Sequence, residues 1–163
     1  MRNRMLRCLV AFGVVGLFAA SAEAATADYA TIVLSVDVAR PAGEVWKKVG
    51  GFCDIGAWMK LKCAYTSGSG GLGTVRRLAD RINEVMVAET ARSYTYTQPD
   101  SKILYHGTLA VESAGPHKSK IIYSLFYDQS NLTTDEAKAQ AREQRTKAFT
   151  GALDSMKKLA EGQ

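Results

Sequence analysis

From Ala30 to Ala39 ("ATIVLSVDVA") apolar and polar residues alternate and β-branched residues dominate, a period of two that predicts a strand. The period then lengthens. In "RPAGEVWKKVGGF" Val45, Trp46 and Val49 fall at i, i+1 and i+4, Pro41 suits the first turn of a helix, and Gly50-Gly51 end it. A second short helix is expected from Asp54 to Met59, and "KLKCAYT" resumes as a strand. Five further strand segments follow: "GTVRRLAD", "INEVMVAETA", "RSYTYTQ", "ILYHGTLAVE" and "KSKIIYSLFYD". Only short polar or Gly/Pro stretches separate them, so they are expected to pair as an antiparallel meander. The last element is a long helix. Thr133-x-x-Glu136 reads as its capping box, and Ala137, Ala141, Ala148, Phe149, Ala152, Leu153, Met156, Leu159 and Ala160 form its apolar face. Gly151 in mid-helix costs about 1 kcal/mol relative to alanine, which implies a need for close approach or for space.

Alternation also assigns side chains to faces. Tyr94 and Tyr96 share one face of their strand, Tyr105 shares one with Gly107, Leu109 and Val111, and Tyr123 shares one with Leu125 and Tyr127. Each buried phenol needs a hydrogen-bond partner, so tyrosines facing an alanine-rich helix suggest an apolar cavity with a few hydroxyls. The strand at 82–90 stays ambiguous, because Ile82, Glu84, Met86 and Ala88 compete with Val85 and Val87 for the inner face. Glu84 and Glu89, five residues apart, are expected on opposite faces, which argues against a catalytic carboxylate pair. Gly68-x-Gly70-x-x-Gly73 matches a dinucleotide fingerprint in letters only. A strand follows it where a helix would have to aim its N-terminus at a pyrophosphate. His106 and His117 read as surface residues rather than bases.

The first residues change the picture of compartment. "MRNRMLR" carries three arginines and no acid, "CLVAFGVVGLFAA" is apolar throughout, and Ala22-Glu23-Ala24 is a small-x-small pattern. Residues 1–24 are therefore expected to be a secretory signal peptide cleaved near Ala24/Ala25, the apolar run being too short to span a bilayer. The mature chain, residues 25–163, suits one domain. Three arginines and Glu23 leave with the peptide, so the net charge falls from +5 to +3. With no Lys/Arg cluster, nucleic acid and anionic membrane are poor partners, and no later stretch is long and apolar enough for stable membrane insertion. Cys8 leaves too. Cys53 and Cys63 remain, and in an oxidising compartment one disulfide is the default. The spacing is not C-x-x-C, and two cysteines with His106 and His117 lack zinc-site spacing, so no metal and no cofactor is expected.

"ARPAGEVWKKVGGFCDIGAWMKLKCAY", "GLGTVRRLAD", "ARSYTYT" and "AFTGALDSMKKLAE" resemble the START/Bet v 1-like (SRPBCC) superfamily, in its polyketide cyclase/dehydrase-like branch, across residues 30–161. The resemblance implies an α+β helix-grip fold of order β-α-α-β6-α, a bent antiparallel sheet wrapped around the C-terminal helix, with a tunnel for a small hydrophobic molecule between them. It also implies a ligand-facing set: Trp58 at the mouth, then Arg76, Leu78, Glu84, Met86, Tyr94, Tyr96, Tyr105 and Tyr123, with Ala148 and Ala152 from the helix. Arg76 and Glu84 alternatively pair with each other as a cavity salt bridge. An exported subset of the family carries a cysteine pair at these two places. Many relatives read Trp-His-Pro where this chain has Trp58-Met59-Lys60, so any role of that histidine is absent. Three functions follow as expectations: a carrier without chemistry of its own, a cyclase or dehydratase using Tyr105 with Glu84 or Arg76, or an accessory protein to a periplasmic oxidation system. The third needs a protein-contact surface, which no exposed apolar stripe in the sequence declares.

Overall fold

The structure is a computed structural model that describes residues 26–163; the expected signal peptide lies outside the described residues. Seven antiparallel strands form one sheet in the order β1-β7-β6-β5-β4-β3-β2. They are β1 (Tyr29–Val38), β2 (Cys63–Ser67), β3 (Val75–Leu78), β4 (Ile82–Thr90), β5 (Ser93–Thr97), β6 (His106–Ser113) and β7 (Ser119–Asp128). Helices α1 (Ala42–Val49) and α2 (Ile55–Trp58) connect β1 to β2, the two edges of the sheet, and α3 (Asp135–Glu161) closes the chain. This is the helix-grip fold.

Burial follows the alternation. Ala30, Ile32 and Val38 of β1 point inward, as do Leu109 and Val111 of β6 and Ile121, Tyr123, Leu125 and Tyr127 of β7. α1 contributes Ala42, Val45 and Val49, one face of a short amphipathic helix. α3 lies chiefly along β1 and also meets β7, α1 and α2. Only its second half is buried, through Ala152, Leu153, Met156 and Ala160. Ala137 and Ala141 are half-buried, because the first half of α3 runs along the sheet's edge.

Several boundaries differ from the sequence reading, each for a local reason. α3 is capped by Thr134, whose hydroxyl accepts from Ala137 N at 3.1 Å, so the Thr133–Glu136 box does not form. The strand expected from Ile103 begins only at His106, since Leu104 takes a left-handed conformation (φ 46°) and turns the chain. β4 contains a bulge between Met86 and Ala88. Before it Glu84 and Met86 point inward; after it the parity shifts, and Glu89 pairs with Tyr94 on that same face. Glu84 and Glu89 thus share a face rather than opposing each other. They still form no catalytic pair, because Glu84 is buried against Arg76 while Glu89 is exposed and accepts from Leu72 N of the glycine loop.

Candidate functional site

Arg76 and Glu84 stand opposite each other on β3 and β4, both pointing inward and both essentially without solvent exposure. Arg76 Nε donates to Glu84 Oε2 at 2.7 Å, and Nη2 lies 2.6 Å from the same oxygen as an ion-pair contact. Nη1 donates to the Phe52 carbonyl. Gln98 Nε2 donates to the other Glu84 oxygen at 2.8 Å. The guanidinium also lies 4.0 Å from the Phe52 ring centroid and 4.9 Å from that of Tyr96, a cation between aromatic faces. Burial works against the Arg76 charge, but Tyr94 and Glu84 outweigh it and hold the group protonated above its ordinary range. The alternative in which Arg76 and Glu84 pair with each other is the one the structure adopts.

Around this pair β5, β6 and β7 gather the tyrosines. Tyr96 and Tyr123 share a hydrogen bond of 2.9 Å between hydroxyls, and the Tyr105 ring lies 6.3 Å from that of Tyr96. Burial pushes the Tyr94 phenol up to about 12, partly offset by Arg76. Burial likewise drives Tyr96, Tyr123 and Tyr105 above the ordinary tyrosine value. All four therefore remain neutral hydroxyls at physiological pH, able to donate or accept hydrogen bonds but not to serve as phenolate bases. Both Glu84 oxygens are engaged, one by Arg76 and the other by Gln98.

Leu78 and Met86 join the same buried core. These side chains pack in one buried cluster with the aromatic rings. Trp58 forms the boundary. Its indole packs edge-on against Tyr123 at 6.1 Å, and its other side lines an open groove of about 250 Å³ between α2 and α3. Ala152 lines that groove too. Ala148 lines it as well and is exposed there. Gly151 explains itself here, since a β-carbon at this position would project into open space. Trp58 Nε1 is buried and hydrogen-bonds nothing among the described residues.

Sequence reasoning missed three members of the cluster. Gln98 continues the parity of Tyr94 and Tyr96 and was therefore discoverable. Phe149, 4.6 Å from Tyr123 between ring centroids, was visible only as part of an apolar stripe. Phe52 contributes its carbonyl and ring, and a carbonyl leaves no signal in the residue letters. The structure also reveals an exposed apolar stripe that the sequence did not declare: Tyr29 stacks on Phe126 at 5.0 Å, with Val33 farther along the same outer face.

The pair Cys53–Cys63 is a disulfide, joining the turn before α2 to the first residue of β2. Among the described residues no cluster of three or more His, Cys, Asp or Glu side chains could hold a metal ion, and no helix is long and apolar enough to cross a membrane.

A bent antiparallel sheet gripping a long C-terminal helix is the fold of the Bet v 1-like class of SRPBCC proteins. The family model described as polyketide cyclase/dehydrase and lipid transport matches residues 29–161, and the chain belongs to that family. Solved structures share the fold. The Zhui aromatase/cyclase from Streptomyces sp. R1128 superposes with a TM-score of 0.67 at 17% identity, covering 82% of this chain and 94% of that one. Norcoclaurine synthase from Thalictrum flavum gives a TM-score of 0.59 at 18% identity, covering 83% and 96%. A protein from Nitrosospira multiformis gives 0.66 at 18% identity, covering 80% and 96%. No curated protein matches the chain.

Proposed function

We propose that this protein is an exported carrier that holds a small hydrophobic molecule, aromatic or lipid-like, between its sheet and C-terminal helix. The observation that carries this reading is the boundary at Trp58. An indole stands between an open groove and an interior lined by neutral phenols, and its Nε1–H is buried without a partner. Leaving such a group unsatisfied costs about 1–3 kcal/mol, a cost that an acceptor on a ligand would remove. The family description includes lipid transport, which fits carriage. Export is supported by the N-terminal sequence pattern and is compatible with the disulfide.

The second reading is a cyclase or dehydratase, favoured by the same family description and by the buried Arg76, a fixed cation that could stabilise developing negative charge. Carriage is preferred because the carboxylate and hydroxyls present are already hydrogen-bonded or held neutral. Native mass spectrometry of protein purified from its own host, without reductant, tests the choice. A small molecule released unchanged on denaturation supports the carrier. Conversion of an added aromatic polyketide-like substrate would overturn it in favour of the enzyme. The mature mass also tests export: retention of residues 1–24 would refute it.

A further inference from the structure

Charge is absent from the middle of the sheet's outward face. The register carries Val33 of β1 across to Ser124, Thr108 and Thr95 of β7, β6 and β5, a row whose side chains alternate with the buried ones and point away from the helices. The rows on either side begin with Thr31–Phe126 and with Ser35–Ile122, and as far as β4 none of the three contains Asp, Glu, Lys or Arg. Val33 is 62% and Phe126 38% exposed. Charge returns one row farther out, as Asp37 and Lys120 at one end of the strands and as Asp128 at the other. A neutral centre inside a charged rim is the composition of a protein–protein interface. From β1 to β4, and including the charged rows, the face covers roughly 800 Å², about what each partner gives to a standard interface.

The face is also complementary to itself. Two copies stacked about a two-fold axis along the Val33–Ser124–Thr108–Thr95 row set each strand over its own copy in the reverse direction, within the aligned geometry that packed sheets adopt. Each residue on the axis then meets itself, which a charged side chain would not tolerate and these four do. Residues on either side of the axis exchange: Phe126 meets Ile122 of the second copy, Lys120 meets Asp128, and the Tyr29 hydroxyl meets the Asp37 carboxylate. Ser130 holds the Asp128 carboxyl below the usual carboxylate range through its hydroxyl and N–H, so this acceptor is charged. Lys120 is free to turn to it, because its own contact, 3.3 Å from Asp37, is an exposed pair worth little.

We infer that residues 25–163 dimerise through this outward face, with a second copy of the chain as the partner. The inference does not depend on the carrier reading, since the tyrosine-rich interior lies on the other face of the sheet.

The test is light scattering on the mature, oxidised protein over a dilution series. The mass is expected to fall from twice that of the chain towards once as the protein is diluted. Val33→Arg and Ser124→Arg, which put like charges on the axis, should each give monomer at every concentration. Lys120→Asp and Asp128→Lys should each be monomeric alone, and their equimolar mixture should dimerise, because each charge then meets its opposite across the interface. Val33 is exposed, so its variant decides the question even if Asp128→Lys fails to fold. Monomer throughout for the unaltered protein, a dimer that Val33→Arg leaves intact, or a mixture of folded variants that stays monomeric would overturn the inference.

Discussion

Gly107 and Tyr96 are partners across β5 and β6, and the Tyr96 phenol occupies the space where a β-carbon on residue 107 would stand. The missing side chain lets the ring lie flat against β6 and bring its hydroxyl to Tyr123. Overpacking at such a position costs about 1–3 kcal/mol. Gly107→Ala is expected to lower stability by that amount in urea unfolding, and Tyr96→Ala should absorb much of the loss when the two are combined. Strict additivity would refute the contact.

The Arg76–Glu84 pair predicts an asymmetric mutational response. Removing one partner leaves a buried charge alone, and Arg76→Met or Glu84→Leu should each cost about 3–5 kcal/mol. The double substitution should recover a large part of that loss, because two apolar side chains need no compensation. A double-mutant cycle in denaturant measures the coupling. Single losses no larger than those of surface substitutions would contradict the burial described here.

High pH should unfold the protein through its tyrosines. A phenol that titrates near 10 when unfolded and near 12 at Tyr94 when folded favours the native state fully below pH 10, and that contribution disappears as pH rises towards 12. Tyr96, Tyr105 and Tyr123 act in the same direction, each raised chiefly by burial. The expected result is that phenolate absorbance of these residues appears together with loss of tertiary circular dichroism. Ionisation of the interior phenols while the fold persists would argue against their burial.

The disulfide closes a short loop, with a separation of 10 residues. In the chain-entropy picture, reduction should cost about 2–3 kcal/mol. Replacing both cysteines by alanine should shift the urea midpoint accordingly, with the change in slope remaining small. An unchanged midpoint would mean that the loop is already ordered in the unfolded chain.

At the start of α3, adjacent threonines make a clean comparison. Thr134→Ala should cost about 1 kcal/mol, as loss of an N-cap does, whereas Thr133→Ala should be near neutral because Thr134 makes the bond to Ala137 N. Thermal unfolding of the two variants decides which residue is the cap.

The fold was legible wherever period and parity hold over a whole element. Tyr94, Tyr96, Leu109, Tyr123 and Tyr127 point inward as alternation requires, and the order of elements follows from the spacing of turn residues. The departures lie where a single residue breaks the period. The β4 bulge reverses parity after Met86 without any marker in composition, and Leu104 leaves the strand although leucine is at home in one. The cap could not be chosen between Thr133 and Thr134, since either has a hydroxyl and only backbone geometry separates them. Of the candidate site, the sequence supplied the residues but not the way they fill space. Whether tyrosines enclose a tunnel or pack on an ion pair depends on ring orientations, and Ala148 is exposed because α3 is buried only beyond it.

The Cys53–Cys63 bond encloses Trp58, Met59 and Lys60. One bank of the groove therefore belongs to a covalent ring, while the opposite bank lies on α3, which is tied to the fold only by noncovalent contacts such as Lys138–Asp28 and Ala39 N–Glu161. Reduction would free that bank from the first residue of β2, so thiol chemistry and the shape of the groove are mechanically linked at one wall. The redox state of the surroundings thereby sets how firmly this wall of the groove is held.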